Sequence, residues 1–263
     1  MNVQDKLKTV ETLTEDILFS LFKREYIVVR VPKFYHPQHC AAVAEKVLSD
    51  IDANAGSGIY ESNIDSFWSA HEDHERSRRY FEHGIVLQRR LRQASAPFPS
   101  PIDLLRLTLD ESWPGGAGLM RQSGMKAPFG ISRLWREGSE GLPHQDSLNR
   151  EVGADGGAIR LDDQIGVNIF LTTSDKGGEV ETWDLVIGDN EYEKISDRFK
   201  GSYGYTREML PKESVVITPE VGDLIMINTA CVHAIRKITA GARLTISGFV
   251  GNAGADQPLV CWS

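Results

Sequence analysis

The chain has 263 residues, enough for one large domain or two small ones, and its 41% hydrophobic and 25% charged residues are ordinary for a globular protein. That composition excludes a disordered tail, a collagen-like fibre and a coiled coil. With 29 Lys and Arg against 37 Asp and Glu, the net charge of −8 argues against a nucleic-acid backbone as partner, which needs clustered cations, but leaves room for a small basic pocket.

Taken in chain order, Val10 to Phe22 carries Leu13, Ile17, Leu18, Leu21 and Phe22 at helical spacing, with Thr14 or Glu15 near its start. Tyr26–Val31 is a β-branched run stopped by Pro32 and reads as a strand. Pro37 to Ile51 reads as a helix with Ala41, Val43, Ala44, Val47 and Leu48 as its apolar stripe, and His36 and His39 at its start read as capping or surface residues. Two further helices are expected over Glu75–Gln93 and Ile102–Leu109, separated by a proline-rich stretch.

After Gly130 short β-branched runs alternate with Gly, Pro and Asp turns. Strands are predicted over Ile131–Trp135, Ile165–Thr172, Val180–Ile187, Ser214–Thr218, Leu224–Ile227, Cys231–Ile238 and Leu244–Val250. This spacing suggests a sandwich or barrel. No repeat and no linker of disordered composition divides the halves, so one domain over 1–263 is preferred to two: a mostly helical support over 1–128, a β core over 129–251 and a tail over 252–263.

The three cysteines, Cys40, Cys231 and Cys261, form neither a disulfide framework nor a Cys-x-x-Cys pair, which suits a reducing cytoplasm. Met1 to Val10 lacks an apolar core of signal-peptide length, and the longest apolar runs fall far short of the roughly 20 residues that span a bilayer. A soluble, cytoplasmic protein without a membrane or nucleic-acid partner is expected, its oligomeric state open, with a homodimer among the options.

The seven histidines differ in what they offer. His71-Glu72-Asp73-His74-Glu75 puts its second histidine at i+3, whereas a zinc-protease helix needs i+4, so it reads as a solvated helix start. The informative segment is Leu142-Pro143-His144-Gln145-Asp146. If it is a strand, His144 and Asp146 point to the same side and Gln145 to the other. Alone, His-x-Asp is weak. It gains weight from the Pro219–Asp223 turn, which launches the strand Leu224–Ile227, and from the Asn228–Ala230 turn before Val232-His233-Ala234.

Arg243 follows His233 by ten residues, and strand alternation sets Arg243, Thr245 and Ser247 on one face, with Leu244, Ile246 and Phe249 largely opposite. An inward arginine needs an anionic partner, most simply a bound carboxylate held bidentately. Two histidines and a carboxylate on adjoining strands are the ligand set of non-haem Fe(II) oxygenases, with coordination positions left for co-substrate and O₂.

His144-x-Asp146, His233 and Arg243 together resemble the iron and 2-oxoglutarate dependent dioxygenase superfamily, over about Ile131 to Gly251. The resemblance implies a mainly β fold with α: a double-stranded β-helix, a jelly-roll of the cupin type, with N-terminal helices packed on one face. It implies His144, Asp146 and His233 as ligands of Fe(II), and Arg243 as the salt bridge to the far carboxylate of 2-oxoglutarate, with Thr245 a further hydroxyl contact. The region around the motif is similar to bacterial free-amino-acid hydroxylases and carrier-independent radical halogenases. In those halogenases Gly or Ala stands where the carboxylate ligand would be. Asp146 therefore implies hydroxylation of an unactivated C–H bond in a small substrate, such as lysine or a related natural-product precursor, using O₂. A desaturase or cyclase of the same fold, a metal-dependent hydrolase or isomerase, and a non-enzymatic cupin-like binding module are the alternatives.

Several other residues have two readings. Arg133, with Trp135 on the strand leading to the motif, meets either the co-substrate or substrate carboxylate, or forms a rim salt bridge. Asn168, polar in an apolar strand, meets 2-oxoglutarate or joins a structural network. Trp183 is expected to line the barrel or plug its end, Glu179 and Glu181 to face solvent, and Cys231 to be a buried inert thiol. Residues 120–126 and 190–209 are lid candidates.

Overall fold

A computed structural model describes residues 3–54, 74–122, 124–152, 159–198 and 204–263. Of the decoy motif, residues 71–73 lie outside this set, and His74 opens a helix. Within it the architecture is mixed α/β, two sheets facing each other with helices on the outer face of the larger.

The helices begin where side-chain caps permit. Helix α1 (Glu15–Phe22) is shorter than expected, because Thr14 Oγ1 accepts from Ile17 N and fixes the start there. Helix α2 (Pro37–Ala53) has Pro37 in its first turn and His36 as cap, Nδ1 accepting from Gln38 N at 3.3 Å. Helix α3 spans His74–Ser95, and α4 (Pro101–Ser112) starts at Ser100, whose Oγ accepts from Asp103 N.

The larger sheet contains eight strands among the described residues. They are β1 (Leu7–Thr9), β2 (Val28–Val31), β3 (Ala117–Leu119), β6 (Ile131–Arg136), β8 (Asp163–Thr172), β11 (Leu224–Asn228), β13 (Ala242–Asn252) and β14 (Leu259–Trp262). The order is β1-β2-β11-β8-β13-β14-β3, with β6 beside the first half of β13. The smaller sheet runs β10 (Val215–Ile217), β9 (Val180–Thr182), β12 (His233–Ile235), β7 (Gly141–His144). Residues 120–126 form a small hairpin of β4 (Arg121–Gln122) and β5 (Met125–Lys126). Helix α5 (Leu148–Val152) follows the motif segment, and α6 (Asp189–Arg198) opens the 190–209 insertion.

Strand alternation divides the core in two. Outward residues of the large sheet, Val29, Val31, Val167, Ile169, Leu224, Met226, Leu244 and Ile246, pack under Leu18, Leu21 and Phe22 of α1, Val43 and Val47 of α2, and Leu105 and Leu109 of α4. Inward residues Val28, Phe170, Ile225 and Ile227 meet Val180, Val215 and Ile217 of the small sheet. Phe249 leaves the outward set that contains Leu244 and Ile246. It has the parity of Ser247 and stacks on Trp262 with ring centroids 5.5 Å apart.

The stretch 252–263, expected as a tail, is not one: β14 pairs antiparallel with β13 and parallel with β3, burying Leu259, Cys261 and Trp262. The strand expected over Tyr26–Val31 is β2, and β1, which was not expected, pairs with it, so the support region extends the large sheet through β11. The turn before β11 explains its Gly-Asp pair. Gly222 has φ +92, and a Cβ there would come 2.3 Å from Tyr35 O. Asp223 is fully buried, its Oδ2 accepting from Arg30 Nε at 2.7 Å and Glu220 N at 2.9 Å. Among the described residues no helix is long and apolar enough to cross a membrane.

Candidate metal centre

The centre is built on the inner face of the small sheet. His144 on β7 and His233 on β12 are directly opposite each other in an antiparallel pair, and Thr182 on β9 is opposite His233 on the other side. The three side chains therefore form one row across the sheet.

Each imidazole is held by its own strand. His144 Nδ1 lies 2.6 Å from Leu142 O, and His233 Nδ1 lies 3.0 Å from Cys231 O. With Nδ1–H donating to a carbonyl, the lone pair of each ring sits on Nε2, the tautomer a metal ligand requires.

Asp146 arrives differently from the expectation. β7 ends at His144, so strand alternation does not set the carboxylate. The chain leaves the sheet and is pinned to the 228–230 turn: Asp146 N donates to Thr229 O at 3.2 Å, and Gln145 Nε2 donates to Ala230 O. That turn is itself fixed by buried Asn228, whose Nδ2 donates to Leu21 O and Phe22 O at the end of α1 and whose Oδ1 accepts from Ala230 N. Asp146 Oδ2 then lies 3.2 Å from His233 Nε2, and Oδ1 lies 3.8 Å from His144 Nε2. The three donor atoms fall within 4.8 Å of one another, close enough to share one ion.

The electrostatics suit a cation. Burial pushes the Asp146 carboxyl up, but His144, His233 and Arg133 outweigh it and bring the pKa down to about 2. Burial lowers the His144 imidazole, keeping it neutral at neutral pH. At His233 burial also lowers the pKa, but the hydrogen bond and charge of Asp146 prevail and raise it.

Across the gap, the inner face of β13 presents Arg243, Thr245 and Ser247 as expected. Arg243 is 2% exposed. Its Nη1 donates to Gly178 O at 2.7 Å, its guanidinium lies 5.0 Å from the centroid of Phe170, and its Nε has no partner. No carboxylate among the described residues pairs with it, and desolvation lowers its pKa to about 10. Ser247 Oγ donates to Asn168 Oδ1 at 2.8 Å, and Thr245 Oγ1 lies 3.1 Å from Ser247 Oγ. Asn168 thus belongs to a hydrogen-bonded network on this wall.

Other expectations are corrected. Trp183 neither lines nor plugs the space between the sheets. It follows inward-facing Thr182, points outward, and packs with Val232 and Ala234 while its indole donates to Pro211 O at 2.9 Å. Glu181 does not face solvent but is 4% exposed, held by Arg207, Arg236 and Ser214. Glu179 is half-buried. Cys231 is fully buried and burial pushes its thiol up to about 12, as an inert thiol requires.

Two contributors escaped sequence reasoning. Gln145 also accepts from Tyr205 OH at 2.7 Å, and Tyr205 N donates to Pro143 O, so the 204–210 segment grips the strand that carries His144. Thr182 is fully buried and its Oγ1 has no partner among the described residues. Its identity as a lone hydroxyl between Glu181 and Trp183 was the one available signal.

Residues 157–263 match the family model of the carrier-protein-independent halogenase WelO5. Over 142 residues, 52% of this chain, the sequence is 25% identical to L-isoleucine 3(1)-dioxygenase of Pantoea ananatis (strain AJ13355). The match spans 47% of that relative, about half its length. The fold is shared with an N-substituted L-amino acid dioxygenase from Burkholderia ambifaria AMMD, at a TM-score of 0.67 and 13% identity, covering 96% of this chain and 92% of that one. A structure of the same enzyme with alpha-KG gives a TM-score of 0.65 at 13% identity, over 95% and 91% of the two chains. These likenesses show a shared fold, and the cluster of His144, Asp146 and His233 lies within it. The WelO5 match includes His233 and Arg243 but begins after His144 and Asp146.

Proposed function

We propose that the chain is an Fe(II)- and 2-oxoglutarate-dependent dioxygenase that hydroxylates an unactivated C–H bond of a small substrate related to amino acids. One observation carries this reading: a two-histidine, one-carboxylate cluster faces a buried arginine with an orphaned Nε. The donor set fits the group. Two imidazoles and a carboxylate without thiolate suit Fe(II), and a buried guanidinium without an acidic partner among the described residues fits a ligand that brings its own carboxylate.

In this reading His144, Asp146 and His233 hold Fe(II), and Arg243 holds the far carboxylate of 2-oxoglutarate. When bound, iron and co-substrate together supply the oxidising chemistry that activates O₂. The protein's own residues do the rest. The carbonyls of Leu142 and Cys231 fix the ring orientations, and Phe170 backs the Arg243 guanidinium and keeps it dry. The Thr245–Ser247–Asn168 chain orders the polar wall beside it, with Thr245 the nearest further hydroxyl for the co-substrate. Asp146 fills the position that chloride would need in a halogenase, which favours oxygen transfer to carbon.

The two facing sheets are read as a double-stranded β-helix within a single domain over 1–263, with 1–128 in support of the 129–251 core. Three buried free cysteines suit a cytoplasmic setting. Desaturation or cyclisation remains the alternative outcome, since a substrate radical feeds each.

The test is a mass-spectrometric screen of free and N-substituted amino acids with Fe(II), 2-oxoglutarate and ascorbate. A product heavier by one oxygen, formed with stoichiometric succinate, is expected. Turnover independent of 2-oxoglutarate would overturn the reading.

A further inference from the structure

The inner wall of the large sheet carries two arginines at different depths. Arg243 lies in the middle of the wall, on β13 between β6 and β8. Arg133 lies on β6, which pairs with β13 alone and is an edge strand. In the β6–β13 register Arg133 is opposite Thr245, and Trp135 is opposite Arg243. Directly opposed residues share a face, so Arg133 points to the side that carries Thr245 and Arg243. Its neighbour Leu134 packs under the helices on the other side, as this orientation requires.

The two arginines differ in what they lack. Arg243 is buried, whereas Arg133 is exposed. Among the described residues the Arg133 side chain makes no hydrogen bond and no ion pair, although Arg136 on the same strand pairs with Asp52 at 3.7 Å and acidic Glu137 and Glu140 are near in sequence. A free surface arginine normally has only water to face. Arg133 instead lies close enough to the metal centre that its charge is felt at Asp146 and His144. Although its side chain reaches solvent, the surrounding walls desolvate it and lower its pKa, with the charge of Asp146 partly offsetting this, and no direct bond joins the two. A bidentate donor thus stands open beside the centre, at the edge of the sheet.

We infer that Arg133 binds the free carboxylate of the prime substrate, which makes the substrate class small carboxylic acids, amino acids or N-substituted amino acids with an unblocked α-carboxylate. This assignment rests on the function proposed above. Charge supports it. With divalent iron, the Asp146 carboxylate, doubly charged 2-oxoglutarate and two arginines in one site, a single positive charge is left unmatched; a monoanionic acid such as an N-acylated amino acid closes it, whereas a free amino acid places its carboxylate there and brings its own ammonium. Depth supports it as well. The co-substrate must reach the buried arginine, which leaves the accessible one for the ligand that enters and leaves in each cycle. Carrier-tethered, esterified or amidated acids lack the charge and are excluded from the class.

The test pairs acids with amides. Free and N-acetylated L-isoleucine, L-leucine and L-lysine, with the matching α-carboxamides, are titrated calorimetrically into wild type, Arg133→Met and Arg133→Lys under anaerobic conditions. Each titration is run with and without Fe(II) and 2-oxoglutarate, and 2-oxoglutarate binding is measured separately. Wild type is expected to bind at least one acid on the order of a hundredfold more tightly than its amide, the strength of one charge-assisted bidentate contact. Arg133→Met should bring that acid to the level of the amide, leave amide binding unchanged and leave 2-oxoglutarate binding within about twofold. Arg133→Lys should restore part of the acid preference, because it keeps the charge and loses the fork. Equal binding of acids and amides by wild type, no binding of any acid, or an Arg133→Met variant weakened for 2-oxoglutarate alone would overturn the assignment. Failure of wild type to bind 2-oxoglutarate would instead overturn the proposed function, and the titrations without co-substrate still read the acid preference.

Discussion

Asp146 reaches the two histidines unequally: its Oδ2 is 3.2 Å from His233 Nε2, but its Oδ1 is 3.8 Å from His144 Nε2. The carboxylate leans toward β12 because its backbone is tied to Thr229, just ahead of that strand, and not to β7. The metal centre is therefore closed by a loop contact between two segments more than eighty residues apart in sequence.

Removing either imidazole leaves two ligands. His144→Ala and His233→Ala should each weaken Fe(II) or Mn(II) affinity by more than the ten- to hundredfold typical of losing an outer hydrogen-bonding partner, about a thousandfold. Calorimetric metal titration reads this directly. Near wild-type affinity in either variant would remove that histidine from the ligand set.

Asp146→Gly should lose most hydroxylation, since one charge and one oxygen donor disappear. Wild type should incorporate no chloride even in high chloride, because the carboxylate occupies that place. Product mass spectra decide both, and chlorinated product from the wild type would contradict the role of Asp146.

Arg243→Met should raise the apparent constant for 2-oxoglutarate about a hundredfold, equivalent to about 3 kcal/mol for one buried bidentate ion pair, with little change in prime-substrate affinity. Steady-state titration of the two ligands separates these effects. An unchanged 2-oxoglutarate constant would move the anchor away from β13.

Tyr205→Phe removes the donor that holds Gln145 Oε1. Metal affinity should fall several-fold, within the range for outer partners of a metal site, while the loss of a single neutral hydrogen bond costs only about 1 kcal/mol of stability. Metal titration beside thermal unfolding of the apo protein distinguishes positioning from bulk stability. A fall in melting temperature without loss of metal affinity would assign Tyr205 to folding alone.

Glu181 gives the fold a defined acid sensitivity. Burial pushes its carboxyl up, but Arg236, Arg207 and Ser214 more than compensate, and the pKa falls from 4.5 to about 2. The folded state thus favours the charged form, so the stabilisation is complete above the ordinary glutamate value and is lost as pH falls from about 4.5 through about 2. Glu181→Gln should lower stability at pH 7 by about 2 kcal/mol and flatten the acid limb of the unfolding curve. Identical acid limbs for variant and wild type would place that sensitivity elsewhere.

Part of the cluster was legible because some of its determinants are local: the His144-x-Asp146 spacing and the ten residues from His233 to Arg243 stand in the sequence, and β13 follows strand alternation from Arg243 to Ser247. Asp146 itself is set by the 228–230 turn and not by alternation. The parts that were not legible depend on distant partners. Glu181 looks solvent-facing until Arg207 and Arg236 are brought over it. Gln145 looks idle until Tyr205, sixty residues on, closes onto it. The strand expected over Val180–Ile187 stops at Thr182, where pairing with β10 and β12 also ends. The C-terminal stretch looked like a tail because its four-residue strand is too short to show a periodic pattern and gains its place by pairing with β13 and β3.

The strict alternation of β13 separates two inheritances within one strand. Leu244 and Ile246 answer to the helices above, while Thr245 and Ser247 answer to whatever lies between the sheets. Recoding the second pair leaves the first pair's packing intact. Variation of this wall is therefore best made at Thr245, Ser247 and their hydrogen-bonded partner Asn168 together, so that no buried polar group is left unpaired while the helix-facing packing stays as it is.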